Sequence, residues 1–413
     1  MYDLVSLGRA ARAAARVLRT TSTAQRNAAL FAAARALRDN REKILEANRT
    51  DVELARCAGC RAAPLARLAL TAARIEAFAA RVEAVCACPD PIGAITGGTL
   101  LPNGMELCTV CVPIGVIALI SDAAPAASVD TVSLCIKSGN VCMLSGGRSA
   151  FATTRAIAEV LRQAVAEAGL TPDSILLVED TSEETTRRLL AFREGIDLII
   201  PYGDIGFLKD LRDGARVPIL NTAGGCSCLY IDRAADLTQA VRIADNARTA
   251  APTDPISIDT VLVHSEIAER FLPALADALD LHAVELRGCA RTRRILPDIS
   301  PARESDWGLD YRGMTLNLRV VDSIEEAIEF LERYSDHTAD GIVTQDIVAA
   351  RRFAALADAA AICVNASPRK IATAPADPGV SVGFSHSKLH VRGPIGLQAF
   401  TTAKTLLIGN GQI

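Results

Sequence analysis

Val112-Pro-Ile-Gly-Val-Ile-Ala-Leu-Ile120 is an almost unbroken apolar run that ends at Ser121-Asp122. It is far short of the ~20 residues that cross a bilayer, and a strand buried on both faces of a parallel sheet reads this way. It predicts one strand over 112–120. Outward from it, 128–138 has helical spacing, and Val141-Cys-Met-Leu144 is a second strand running into Gly146-Gly147. Strand, helix, strand is a βαβ unit, whose strands lie parallel. The alternation continues with a helix over 151–168, strand 175–178, helix 182–192, strand 196–200, short helix 209–214 and strand 217–220. The fold class this predicts is α/β, a parallel sheet with helices on both faces.

Upstream, residues 4–85 are rich in Ala, Leu and Arg, with apolar residues recurring at helical intervals. Ser22-Thr-Ala-Gln25 has the form of a capping box. Pro89-Asp-Pro91-Ile-Gly93, Gly97-Gly98 and Pro102-Asn-Gly104 predict a hairpin and turns. Downstream, a second α/β series is expected: strand 228–232, helix 237–248, strand 260–264, helix 267–279, strand 283–286, strand 318–321, helix 323–333, strand 341–344, helix 347–356 and strand 361–365.

The 413 residues allow two or three domains. A net charge of −4 gives no electrostatic reason to expect nucleic acid, and no apolar run is long enough for a membrane span. Met1-Tyr2-Asp3 leads straight into a helical pattern without a basic or apolar leader, so the expected location is cytoplasmic. Twelve cysteines are expected as reduced thiols in that compartment. Cys57, Cys60, Cys86 and Cys88 offer the paired thiolates of a tetrahedral zinc site. Buried cysteine is more often a small hydrophobe, and no metal is expected.

Five segments carry a resemblance over nearly the whole chain: Val112-Pro-Ile-Gly-Val-Ile117, Ile136-Lys-Ser-Gly-Asn140, Leu144-Ser-Gly-Gly147, Val364-Asn-Ala-Ser367 and Ser387-Lys-Leu-His-Val-Arg-Gly-Pro-Ile-Gly-Leu397. In this order and spacing they resemble the γ-glutamyl phosphate reductases (glutamate-5-semialdehyde dehydrogenases) of the aldehyde dehydrogenase superfamily. The resemblance implies an aldehyde dehydrogenase-like α/β fold. Its parts would be a Rossmann-like cofactor domain (1–92 and 113–228), an α/β catalytic domain (229–395) and an oligomerisation hairpin (93–112 and 396–413). It also implies a homo-oligomer, and NADPH as the cofactor if the chain is active.

At the sites the resemblance points to, this sequence departs from the family. The family carries a nucleophilic cysteine nine residues before the end of a Leu-Val-His run. Counting back from His264 reaches Pro255, and no cysteine lies between Cys228 and Cys289. Proline has no thiol and no N–H. The run after strand 112–120 is Asp122-Ala-Ala-Pro125-Ala126, so Ala126 stands where an asparagine would donate to the developing oxyanion. Ala124 and Ala251 stand where arginines are usual. The cofactor positions are Ser145, Gly146 and Gly147, then Gly203 and Asp204, then Asp310. Ser145 replaces a basic residue, while Arg148 keeps a charge nearby. Asp204 puts a carboxylate where a pyrophosphate should rest, or serves as an N-cap. Asp310 stands for a glutamate that contacts the nicotinamide ribose. Asn365, Ser367, Lys388, His390 and Arg392 form the substrate-type cleft, with a structural reading as ion-pair partners beside the functional one. Cys226 is the candidate for a relocated nucleophile, and its other reading is a buried thiol.

Nucleophile, oxyanion donor and cofactor contacts change together while turn and core residues persist. The function this implies is a γ-glutamyl phosphate reductase homologue without reductase activity, acting as a binding or partner subunit with an active paralogue or a glutamate kinase. The alternatives are an active NADPH-dependent glutamate-5-semialdehyde dehydrogenase of proline biosynthesis, a retuned enzyme using Cys226, and a sensor that uses the old cleft.

Overall fold

The computed structural model describes residues 2–59, 65, 68–122, 124–203, 205–220, 226–254, 256–371 and 380–412. Internal contacts divide the chain into two compact units: Met1–Thr222 with Pro375–Gly383 and Pro394–Ile413, and Ala223–Ala374 with Phe384–Gly393.

The first unit opens with helices α1 (Leu4–Leu18), α2 (Thr23–Asp39), α3 (Arg41–Cys57) and α4 (Ala72–Ala87). Ser22 starts α2 with the expected capping box: its side chain accepts from Gln25 N, and the Gln25 side chain accepts from Ser22 N. A hairpin follows, β1 (Ile95–Leu100) and β2 (Glu106–Pro113), paired antiparallel. The run quoted above is not one strand. β2 ends at Pro113, and β3 (Val116–Ser121) begins after Gly115. Gly115 has φ +137°, and a Cβ there would collide with the Asp197 carboxylate. The break lets β2 join an antiparallel sheet while β3 enters a parallel one.

After β3 come α5 (Pro125–Lys137), β4 (Val141–Gly146), α6 (Phe151–Glu167), β5 (Ile175–Leu177), α7 (Glu183–Ala191), β6 (Leu198–Tyr202) and α8 (Ile205–Gly214). The parallel sheet runs β5-β4-β3-β6. Every residue of β3 and β4 is buried, as a sheet covered on both faces requires. The strand expected over 217–220 is only one isolated bridge, between Ile219 and Ile199. Lys137 is buried within the unit and donates to Asn27 Oδ1 (2.8 Å) and Cys86 O (2.7 Å). A second, antiparallel sheet has the order β1-β2-β14, where β14 (Thr401–Ile408) is the final strand. Asn140 joins this sheet's end to the parallel one: its Oδ1 accepts from Gly115 N and its Nδ2 donates to Phe400 O, each at 2.7 Å.

The second unit holds β7 (Ser227–Ile231), α9 (Leu237–Thr249), β8 (Ile258–His264), α10 (Ser265–Asp280), β9 (Glu285–Gly288), α11 (Ala290–Ile295), β10 (Ser300–Pro301), β11 (Thr315–Val321), α12 (Ile324–Tyr334), β12 (Ala339–Val343), α13 (Ile347–Leu356) and β13 (Ala361–Val364). Its seven strands pair in parallel in the order β10-β9-β11-β8-β7-β12-β13. One face packs Leu229, Val261, Val263 and Leu318 on Ala244, Phe271 and Leu275 of α9 and α10. The other packs Cys228, Tyr230, Leu262 and Ile342 on Phe330, Leu331 and Phe353 of α12 and α13. Alternation along each strand thus serves two helical layers.

Candidate functional site

In the first unit the chemistry gathers at the carboxyl end of the parallel sheet. The chain steps from β3 to β4 and β5 on one side, then returns to place β6 on the other side of β3. That reversal is a topological switch point, where open α/β sheets hold their ligands. Ser121 is level with Gly146 on one neighbour and Tyr202 on the other. Beyond it, Gly147 N donates to Ser121 O (2.7 Å) and Asp122 N donates to Tyr202 O (2.9 Å). Ser145, Gly146, Gly147 and Gly203 therefore meet at one edge. Asp204 lies outside the described residues.

The glycines are required here by close approach. A Cβ on Gly147 would fall 2.7 Å from Asp122 Oδ1, and one on Gly203 would fall 2.6 Å from the Phe207 ring. Ser145 is buried. Asp122 Oδ1 accepts from Ser149 Oγ at 2.8 Å, which fixes a carboxylate against the Gly147 turn. Arg148 is exposed on the same turn. Arg81 is committed to Asp130, its Nε donating to Oδ1 at 3.0 Å. A dinucleotide's phosphates would find Arg148 as a partner and the Asp122 carboxylate as a repulsive neighbour, so these residues fit the cofactor only in part. Ala126 is the second residue of α5 and half-buried, and it offers no side-chain donor.

In the second unit, the 250–257 loop joins α9 to the amino end of β8. It is folded by its own backbone: Asp254 N donates to Ala251 O (3.0 Å) and Ser257 N to Asp254 O (2.9 Å). Ser257 Oγ donates to Ala247 O at 2.9 Å, so this hydroxyl is occupied and buried. Pro255 lies outside the described residues.

Cys226 is 1% exposed, with its sulfur 3.8 Å from Cys228 Sγ and 3.6 Å from Thr260 Oγ1. The hydrogen bond with Cys228 pulls its pKa down, but burial and the Asp259 and Asp340 carboxylates outweigh that and leave the thiol raised. A reactive thiol has the opposite setting. Sequence reasoning passed over Cys289, which caps α11 with its sulfur accepting from Thr292 N (3.5 Å). Burial acts to raise this thiol, but hydrogen bonds from the Thr292 hydroxyl and nearby N–H groups prevail and lower it. The signal for it was a cysteine opening the short helical run Ala290-Arg-Thr292. Cys289 follows the carboxyl end of β9, whereas the 250–257 loop enters β8 at its amino end.

Asp310 is 4% exposed in its side chain and is engaged by Arg312, through Nε to Oδ2 (2.8 Å) and N to Oδ1 (3.2 Å). Asn365 has φ +53° and bonds Thr344 twice, accepting from its N and donating to its O, both at 2.8 Å. That clasp holds the ends of β12 and β13 together. Ser367 is buried and its hydroxyl has no hydrogen-bond partner among the described residues. Lys388 and Arg392 both pair with Asp358, Arg392 at 2.8 Å. The two cations hold the Asp358 carboxyl down at about 2. His390 is exposed with φ +67°. Among the described residues no three His, Cys, Asp or Glu side chains come together as a metal would need; of the four cysteines weighed for zinc, Cys60 lies outside the described residues. No helix among the described residues is long and apolar enough to cross a membrane.

Comparison with known proteins agrees with the layout. Residues 3–285 match the aldehyde dehydrogenase family. The γ-glutamyl phosphate reductase of Moorella thermoacetica is 41% identical over 411 residues, covering 100% of this chain and 98% of that protein. The solved γ-glutamyl phosphate reductase of Thermotoga maritima is 36% identical, with a TM-score of 0.96 over 100% of this chain and 99% of its own. That of Saccharomyces cerevisiae is 25% identical with a TM-score of 0.56, over 100% and 99%. On the shared parallel sheets, the family match and this full-length likeness, the chain belongs to the aldehyde dehydrogenase family, among the γ-glutamyl phosphate reductases.

Proposed function

We propose that this chain serves the γ-glutamyl phosphate reductase reaction as a binding or partner subunit and does not itself carry out the reduction. One observation carries the reading: the loop entering β8 contains no cysteine, and Cys226 is sealed in the interior with a raised pKa. The covalent route the resemblance implies runs through a thiolate within reach of the acyl carbon. Ala126 also lacks the donor that would stabilise the oxyanion, a loss that costs about 10²–10³ in rate on its own.

The second reading is an active NADPH-dependent glutamate-5-semialdehyde dehydrogenase. Identity of 41% along the entire chain supports enzyme function more directly than it supports loss of activity. On this reading Arg148 is the described residue that would hold a cofactor phosphate.

The readings part in one assay. Purified chain is given glutamate 5-semialdehyde, phosphate and NADP, and NADPH absorbance is followed. A binding subunit gives no phosphate-dependent signal above background, and sustained turnover would end that reading.

The proposal extends to a homo-oligomer formed through segments 93–112 and 396–413, in the cytoplasm, beside an active paralogue or a glutamate kinase. Supporting it, β1 is exposed throughout, and Ile95, Leu100, Leu407 and Ile408 stand out from this sheet at 66%, 69%, 52% and 49% exposure. Apolar side chains gathered on one small sheet are what a subunit contact uses.

A further inference from the structure

The loop entering β8 ends in a bulge. β7 and β8 pair as Ser227 with Ile258, then Cys228 with Thr260, so Asp259 is the extra residue. Bulges re-aim side chains, and this one puts a carboxylate in the interior. The side chains of Asp259 and Arg248 are 1% and 0% exposed.

Arg248 sits in the last turn of α9, before the loop, and reaches past it. Its Nη1 donates to Asp259 Oδ1 and to Ile258 O, each at 2.8 Å, and its Nη2 donates to Gly313 O. Asp259 Oδ1 accepts from Tyr311 N as well, at 3.1 Å. One guanidinium thus fastens both ends of the 250–257 loop to the 311–313 turn, next to Asp310. The pair is not saturated: Arg248 Nε and Asp259 Oδ2 are buried and have no partner among the described residues. A buried ion pair left incomplete is a poor source of stability, and apolar residues of similar volume often do as well. What apolar residues do not replace is the direction of the bonds.

We propose that Arg248 and Asp259 form a positioning latch, which sets how the two ends of the 250–257 loop lie on the 311–313 turn and contributes placement in place of stability. The latch lies wholly in the second unit and operates whether or not the chain is a reductase. It makes the loop and the Asp310 turn one mechanical element, so a ligand ordering either orders both.

The test uses the full chain and the double variant Arg248→Met with Asp259→Leu, beside the two single variants. The singles each leave a buried polar partner unpaired and melt well below wild type, or do not fold. The double variant regains the wild-type melting temperature. Its amides in 250–257 and 311–313 nevertheless exchange with deuterium about tenfold faster, while those of β8 and β11 keep their wild-type protection. Wild-type exchange in both segments of the double variant would overturn the latch. So would a double variant that melts no higher than the singles, because the pair would then be acting through stability.

Discussion

The sulfur of Cys226 lies 3.6 Å from the hydroxyl oxygen of Thr260, in a pocket of the interior that solvent does not reach. Its partners are therefore internal, and alkylation of native protein at pH 7.5 should spare it. Iodoacetamide should modify the exposed Cys57 within minutes and reach Cys226 and Cys228 only in denaturant. Peptide mass mapping reads this directly. Rapid native labelling of Cys226 would restore it as a relocated nucleophile.

Restoring the family's groups should restore chemistry if the scaffold is intact. Pro255→Cys supplies a thiol, and Ala126→Asn supplies a donor at the start of α5. The double variant should reduce NADP in the semialdehyde assay about 10²-fold faster than Pro255→Cys alone. Wild-type protein matching the double variant would refute the loss of activity.

Asp340 tests the electrostatics of the second unit. It is fully buried, accepts from Cys228 N (3.0 Å) and Ser335 Oγ (3.0 Å), and burial pushes its carboxyl up to about 7. Burial raises Asp259 to about 7 as well, against the pull of Arg248. A carboxyl raised on folding binds its proton more tightly in the native state. Its contribution therefore favours folding at low pH and is lost as pH climbs from about 4 to about 7. Asp340→Asn should remove part of that slope, on the order of 1 kcal/mol or more between pH 5 and 8. Parallel melting curves against pH for the variant and wild type would show that Asp340 does not titrate in this window.

The exposed antiparallel sheet makes the oligomer testable. Leu407→Glu places a charge amid Leu406 and Ile408 on β14. Light scattering should show wild type as a multimer and the variant weakened at least ~10-fold in association, with the far-ultraviolet dichroism unchanged. A monomeric wild type at micromolar concentration would remove the subunit contact from the proposal.

Local signals were legible where one residue type decides the conformation. The helix over 347–356 and the Ser22 capping box are found as read, because an apolar period and a hydroxyl cap act over a few residues. Errors arose where hydrophobicity alone was the guide. Pro113 and Gly115 divide a continuous apolar run between two sheets, a choice made by partners far away in sequence. The helix over 290–295 gives no such signal, because three arginines in six residues hide its apolar face. The turns at Gly146-Gly147 and at Asn365 were legible from motif. The attachments were not. Nothing in the sequence ties Asp358 to Lys388 and Arg392, thirty or more residues on, or shows that a bulge aims Asp259 at Arg248.

Asn140 has a consequence for how the chain is made. Its amide spans Gly115 and Phe400, residues separated by most of the polypeptide. Ser138 Oγ can take one N–H of that side chain early, but until the ribosome has released the final strand the other must be served by water in a place the finished protein keeps dry. The amino-terminal half can collapse early in synthesis but is completed last. A chain cut short before Phe400 would leave this early-made half unsealed, with one N–H of Asn140 lacking its native acceptor.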